Sequence, residues 1–254
     1  MTKTPLFTIA AAIMLATTHV DAAELKVFVG GAMTETVQKI GAEFARSSGN
    51  KLDYVSDTTG ALMNRLKAGE KPDVLVVTAT AMDSLQKDGA LASGSRAELV
   101  RALIGVAMKP GAKAPDLSSP DAFKASLLAA RSVSYVNPKA GGTSGTYFEG
   151  LLTKMGIADQ MKAKIVYRNQ GSEVADAVAK GDAELGISFI AELAPNKGVK
   201  VAGALPAAIQ LPTNYAAAIP SGSANQSAAR GFIQAMTSPQ GTAVFKAAGL
   251  EPLH

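Results

Sequence analysis

The sequence predicts an α/β protein, and three observations carry that reading. Short apolar runs alternate with runs of helical period along the chain, and the connections between them are brief. Glycine, serine and threonine also cluster where a strand gives way to a helix. Leu25–Val29 is a first strand ending at Gly30-Gly31, after which Met33, Val37, Ile40 and Phe44 mark one helix face up to Gly49-Asn50. Lys51–Val55 reads as a second strand, and Asp57-Thr58-Thr59-Gly60 opens a helix carrying Leu62 and Leu66. Pro72-Asp73 precedes the strand Val74–Thr78, a short helix covers Ala81–Lys87, and Leu103–Met108 is a strand closed by Pro110-Gly111. The second half continues with a helix over Asp121–Ala130, a strand over Ser132–Val136 and a glycine-rich loop over Asn137–Gly145. A helix over Thr146–Met155, a strand over Lys164–Tyr167, a helix over Glu173–Lys180 and a strand over Glu184–Phe189 with a helical turn behind it follow. Val199–Gly203 and Tyr215–Ile219 read as strands, and Ser227–Ala248 as a largely helical tail.

Composition narrows the chemistry. The chain has 254 residues, no Cys, no Trp, and two His, His19 and the terminal His254. Disulfides, thiol nucleophiles, His-based triads and zinc sites therefore lack parts. Apolar content of 47% with 18% charged residues is that of a globular protein with a sizeable core. The net charge of +4 is spread along the chain and aromatics are 5%, so no nucleic-acid partner is expected, while small anions remain compatible. Residues 1–22 read as a cleaved export signal: Lys3 supplies the positive end, Leu6–Leu15 an uncharged and mostly apolar stretch, and Val20-Asp21-Ala22 the small-x-small cleavage pattern. That stretch is about half the roughly 20 residues an anchor needs. A periplasmic location is expected.

Four loops between a strand and a helix are the candidate site: Gly30-Gly31-Ala32, Ser56 to Gly60, Gly141 to Gly145, and Asn169-Gln170-Gly171-Ser172. Ligands of open α/β sheets lie beyond the carboxyl ends of the strands, where helix N-termini offer free N–H groups and glycine permits close approach. Thr58, Thr59, Thr143 and Ser144 add hydroxyls, giving a neutral cage for an oxyanion or a carboxylate. The same residue types also serve as ordinary caps and turns. Gly141-Gly142-Thr143-Ser144-Gly145 lacks the ending of a phosphate-binding P-loop and is not a hydrolase nucleophile elbow. Arg168, at the strand end beside the fourth loop, reads either as a cation able to hold a carboxylate by two parallel hydrogen bonds or as a solvated surface residue. Glu192 reads either as a site acid or as a helix-surface residue, with the surface favoured.

Val27-Phe28-Val29-Gly30-Gly31, then Thr58-Thr59-Gly60-Ala61-Leu62 ahead of Lys-Ala-Gly-Glu-Lys-Pro-Asp-Val (67–74), resembles the type II periplasmic binding proteins, in their molybdate-binding branch. Gly145-Thr146-Tyr147 and the run from Ala179 to Ile187 extend the resemblance over nearly the whole mature chain. It implies a two-lobed fold with the ligand cleft between lobes joined by two crossover strands. Lobe one would be residues 23–102 plus 213–254 and lobe two 103–212. The resemblance also implies a monomer that closes on its ligand without a cofactor or metal. The ligand contacts it points to are Gly31, Ala32, Thr58, Thr59, Thr143, Ser144, Arg168, Asn169, Gln170 and Phe189.

Departures from the branch point to the ligand. Ala32 stands where the branch places a Ser hydroxyl, and Phe189 where it places a Tyr. Ser144 stands where only a backbone N–H is usual, and Arg168 adds a charge. Hydrogen bonds to a charged group are worth about 1.5–3 kcal/mol each, so the missing hydroxyls favour a small organic anion, such as a tricarboxylate, over molybdate. The chain is similar in this to the aconitate isomerase offshoot of the branch, whose cis/trans conversion by an allylic proton shift needs a group to remove a proton and one to return it. Lys139, Tyr147, Tyr215 and Glu192 are the candidate carriers, and the sequence leaves the choice open. The alternative is a solute-binding component that delivers a molybdate-like oxyanion or an organic anion to the membrane component of an ABC transporter.

Overall fold

The structure, a computed structural model, describes residues 22–254. The signal reading and His19 fall on residues outside that range, apart from Ala22. Two mixed sheets organise the chain. The first holds β1 (Glu24–Gly30), β2 (Lys51–Asp57), β3 (Val74–Thr78), β4 (Ala97–Ala102), β10 (Thr213–Ala218) and β11 (Glu251–Pro252), in the order β11-β4-β10-β3-β1-β2. The second holds β5 (Ile104–Met108), β6 (Val133–Val136), β7 (Ile165–Arg168), β8 (Leu185–Phe189) and β9 (Lys200–Ala204), in the order β7-β6-β8-β5-β9.

Both sheets use one plan. In the first, β1 runs parallel to β2 and β3, while β10 lies antiparallel to β3. In the second, β6 runs parallel to β7 and β8, while β5 lies antiparallel to β8. Parallel strands covered on both faces must be apolar throughout, and β3, β6 and β8 are buried at every position. The parallel strands of each sheet share one direction, so their carboxyl ends and the turns beyond them gather on one edge.

The chain passes between the sheets twice. Only Leu103 separates β4 from β5, and the return runs from β9 to β10. Gln210 clamps the two crossings together: its Oε1 accepts from the Ile104 N–H at 3.0 Å, and its Nε2 donates to the Ile104 carbonyl at 2.8 Å.

The helices are α1 (Thr34–Ser48), α2 (Thr59–Lys67), α3 (Ala79–Lys87), α4 (Pro120–Ala129), α5 (Thr143–Lys154), α6 (Ala158–Met161), α7 (Gly171–Lys180), α8 (Ile190–Leu193), α9 (Gln226–Thr237) and α10 (Pro239–Ala247). The expected alternation is present, with four local differences. A strand forms at Ala97–Ala102, which had no assignment, because β10 and β11 pair with it from distant parts of the chain. Helix α5 begins at Thr143 and α7 at Gly171, two or three residues before the expected starts, so the glycine-rich loop is shorter. The helical tail is two helices. Pro239 has no N–H to continue α9, and the Ser238 hydroxyl caps α10 by accepting from Gly241 N–H at 3.1 Å.

Candidate functional site

Four turns from the two sheets meet in one narrow cleft, with Gly31 from beyond β1 and Asp57, at the end of β2, with Thr58 and Thr59 beyond it. Val136 ends β6 and the start of α5 lies beyond it, and Gln170 and Gly171 come from beyond β7. Phe189 at the end of β8, Glu192 beyond it and Tyr215 on β10 complete it. The space between these atoms measures about 330 Å³.

A clasp holds the mouth. The Thr58 hydroxyl donates to the Ala140 carbonyl at 2.5 Å, and Gly60 N–H donates to the Gly141 carbonyl at 3.2 Å. A Cβ at Gly60 would lie 2.7 Å from the Gly141 Cα, so the glycine is what lets the two backbones touch. The Thr58 oxygen also accepts from Ala61 N–H at 3.1 Å and caps α2. Its one proton is committed to the clasp, which leaves the hydroxyl no donor for a ligand.

Helices α5 and α7 are different. Their N-cap positions, Gly142 and Gln170, make no side-chain cap, so free N–H groups and the positive ends of two helix dipoles face the cleft. Thr143 lines the wall at the start of α5. Beside it the buried Ser144 hydroxyl lies 3.3 Å from the buried Ser188 hydroxyl, which donates to Glu192 Oε2 at 2.6 Å.

Glu192 is the centre of this arrangement. The residue keeps some accessible surface where it meets the cleft, but its carboxyl is enclosed by Ser188, the Phe189 backbone and two glycines. A Cβ at either Gly31 or Gly171 would overlap that carboxyl, so glycine at both positions makes its socket. Desolvation lifts its pKa to about 7 against the opposing hydrogen bonds from Ser188 and the Phe189 backbone. Tyr215 faces the same space, its ring edge-on to Phe189 at 6.0 Å between centroids. A register shift between Tyr215 and Ala216 bends β10 there. Burial, and secondarily the Glu192 charge, push the Tyr215 phenol well above its ordinary range, which keeps it a neutral donor. Asp57 is the second carboxyl of the cleft. Its Oδ1 accepts from Thr58 N–H at 2.8 Å, and its Oδ2 lies 4.0 Å from the Arg65 guanidinium.

Of the residues read from the sequence, Gly31, Thr58, Thr59, Thr143, Ser144, Gln170 and Phe189 come together here. Ala32 does not. It is 4% exposed and packs into the core one residue past the cleft. Arg168 ends β7, an edge strand, where its guanidinium donates to Asp182 at 2.8 Å and to the Tyr167 carbonyl at 3.0 Å. It is absent from the cleft wall, because Asp182 in the turn after α7 captures it. Asn169 is exposed and gives its N–H to Glu173 at 2.9 Å. Among the candidate carriers, Lys139 is exposed and Tyr147 donates to the Ile209 carbonyl at 2.9 Å, whereas Tyr215 and Glu192 line the cleft. The surface reading of Glu192 is corrected: α8 is a single turn, and it delivers the carboxyl inward. Sequence reasoning passed over Ser188, whose apolar strand gave no signal, and over Asp57, which stood in a recognised loop without a role.

The chain is 32% identical to an aconitate isomerase of Pseudomonas sp., over 95% of this chain and 94% of that one. It is 28% identical to the molybdate-binding protein ModA of Azotobacter vinelandii, over 90% of each. The solved periplasmic molybdate-binding protein of A. vinelandii superposes with a TM-score of 0.72 at 25% identity, over 89% of this chain and 98% of that one. The fold is that of the type II periplasmic binding proteins, and the relatives support an anion in the cleft. Residues 25–251 match the family described as bacterial extracellular solute-binding protein, and the chain belongs to that family.

Proposed function

We propose that this protein is an exported, periplasmic isomerase of a small multi-carboxylate anion, of aconitate type, interconverting cis and trans forms by an allylic proton shift. The observation that carries the proposal is Glu192, a buried carboxyl that titrates near neutrality within an anion cleft. Proton transfer near pH 7 needs such a group. The resemblance to the Pseudomonas aconitate isomerase supports the same reading.

The chemistry divides between the two carboxyls. Asp57 takes a proton from the substrate methylene, and the C–H electron pair spreads over the allylic system and its carboxylate as a dienolate. Protonated Glu192 returns a proton to the former vinyl carbon, so the double bond moves by one position and is formed in the other geometry. Asp57 then loses, and Glu192 regains, a proton through solvent when the cleft opens. The N–H groups at the starts of α5 and α7 and the Tyr215 hydroxyl stabilise the dienolate charge. The closed clasp keeps water from the intermediate.

Proton NMR of cis-aconitate with the purified protein tests this. A trans vinyl signal that grows in proportion to protein is expected, and a spectrum no different from the buffer blank would refute it. The second reading, a solute-binding protein for an oxyanion or organic anion serving an ABC transporter, is favoured by the uncapped helix N-termini and by the molybdate-binding relatives.

A further inference from the structure

We propose that an anion enters the cleft together with a proton on Glu192, so that anion binding takes up one proton and weakens as pH rises above neutrality. The inference holds for an isomerase and for a binding protein alike, because it concerns only what the closed cleft tolerates.

The charges around the cavity carry the argument. Among the described residues, its wall contains two carboxyls, Asp57 and Glu192, and no Lys, Arg or His. Arg65 faces Asp57, at 4.0 Å. Glu192 has no such partner: β10 brings it Tyr215, α5 brings Ser144, α7 brings Gln170 and Gly171, and the turn after β1 brings Gly31. Glu35 and Lys39 of α1, and Lys197 beyond α8, lie along a separate groove, with Ala32 and Ala191 in its wall. An anion enclosed beside an ionised Glu192 would meet a like charge with neither water nor a cation between them. A proton on Oε1, the oxygen facing Gly31, converts that repulsion into a hydrogen bond donated to the ligand. Ser188 holds the other oxygen at 2.6 Å, which fixes the carboxyl in this orientation. The upward pKa of Glu192, caused by its burial, is in keeping with a group already close to taking the proton.

The test is calorimetric titration of the purified protein with trans-aconitate and, separately, with molybdate. It is run from about pH 6 to about pH 9, in paired buffers of different ionisation enthalpy. Above neutrality the wild type should take up about one proton per anion bound, and its Kd should rise roughly tenfold per pH unit. Glu192→Gln, which keeps the donor and cannot ionise, should bind with no proton uptake and a flat pH dependence. Ser188→Ala removes a hydrogen bond that favours the ionised form, so it should move the onset of weakening to higher pH. It also serves if the Gln variant does not fold. A wild-type Kd independent of pH, or an unchanged pH dependence in Glu192→Gln, would overturn the proposal. Failure of both probes to bind at every pH would overturn it together with the anion cleft. Proton-coupled binding without isomerisation in the NMR assay would overturn only the isomerase reading.

Discussion

The two sheets are built alike, yet the turns they bring to the cleft differ in electrostatic character. Each sheet supplies a threonine at the start of a helix and one carboxyl. In the first sheet the hydroxyl of Thr58 caps α2 and clasps Ala140, and Asp57 sits within reach of a guanidinium. In the second, α5 and α7 start without caps, and Glu192 is surrounded by hydroxyls, glycines and aromatic rings. Similar backbone plans therefore produce a capped edge in contact with the other sheet on one side and a donor-rich wall around a buried carboxyl on the other. Side chains at strand ends, not the strand order, make that division.

Removing the acid is the strongest way to break the comparison. On the proposed isomerase reading, Glu192→Gln should lower turnover by about 100-fold or more, the usual contribution of a positioned proton donor, while anion binding persists. If turnover survives, the second sheet's carboxyl is not the acid. On the same reading kcat/KM for the wild type should fall as pH rises through about 7, because catalysis would require the Glu192 proton.

Stability should follow the same group. Its folded pKa lies above the unfolded value, so the stabilisation is complete below pH 4.5 and is lost as pH rises through about 7. The loss is at most about 3 kcal/mol, reduced to the extent that opening of the cleft lets water reach the carboxyl. Urea melts at a series of pH values would show it in the wild type and not in Glu192→Gln.

The clasp gives a smaller effect. Gly60→Ala adds a Cβ against Gly141 at a position in the first turn of α2 where alanine favours the helix, so the protein should fold while its lobes close incompletely. Anion affinity should fall about tenfold, a difference of about 1.4 kcal/mol, and X-ray scattering of the ligand-saturated variant should show a larger radius of gyration than the wild type. Equal compactness would remove the clasp from closure. The smallest effect belongs to Arg168→Ala. An ion pair with Asp182 at the sheet edge contributes little, about 0–1 kcal/mol, and anion affinity should change less than twofold. A tenfold loss would put the guanidinium back in the cleft.

What the sequence determined by itself is the alternation of strands and helices and the loops between them, because period and turn chemistry are local. Val37 and Ile40 declare a helix face, and Gly30-Gly31 ends a strand, whatever surrounds them. That was enough to find seven of the cleft's residues, since ligands of such sheets meet the turns beyond the strands. The strand Ala97–Ala102 was not legible, because its partners β10 and β11 are supplied from more than a hundred residues away. Side-chain direction was equally hidden. Arg168 ends one strand of the second sheet and Glu192 follows another, and nothing in their neighbours distinguishes the one captured by Asp182 from the one turned into the cleft. Tertiary structure decided that, because a side chain's partner and its distance from water depend on residues brought together only by folding. The enclosure that raises the Glu192 pKa exists only once Gly31, Gly171 and Ser188 have closed around it.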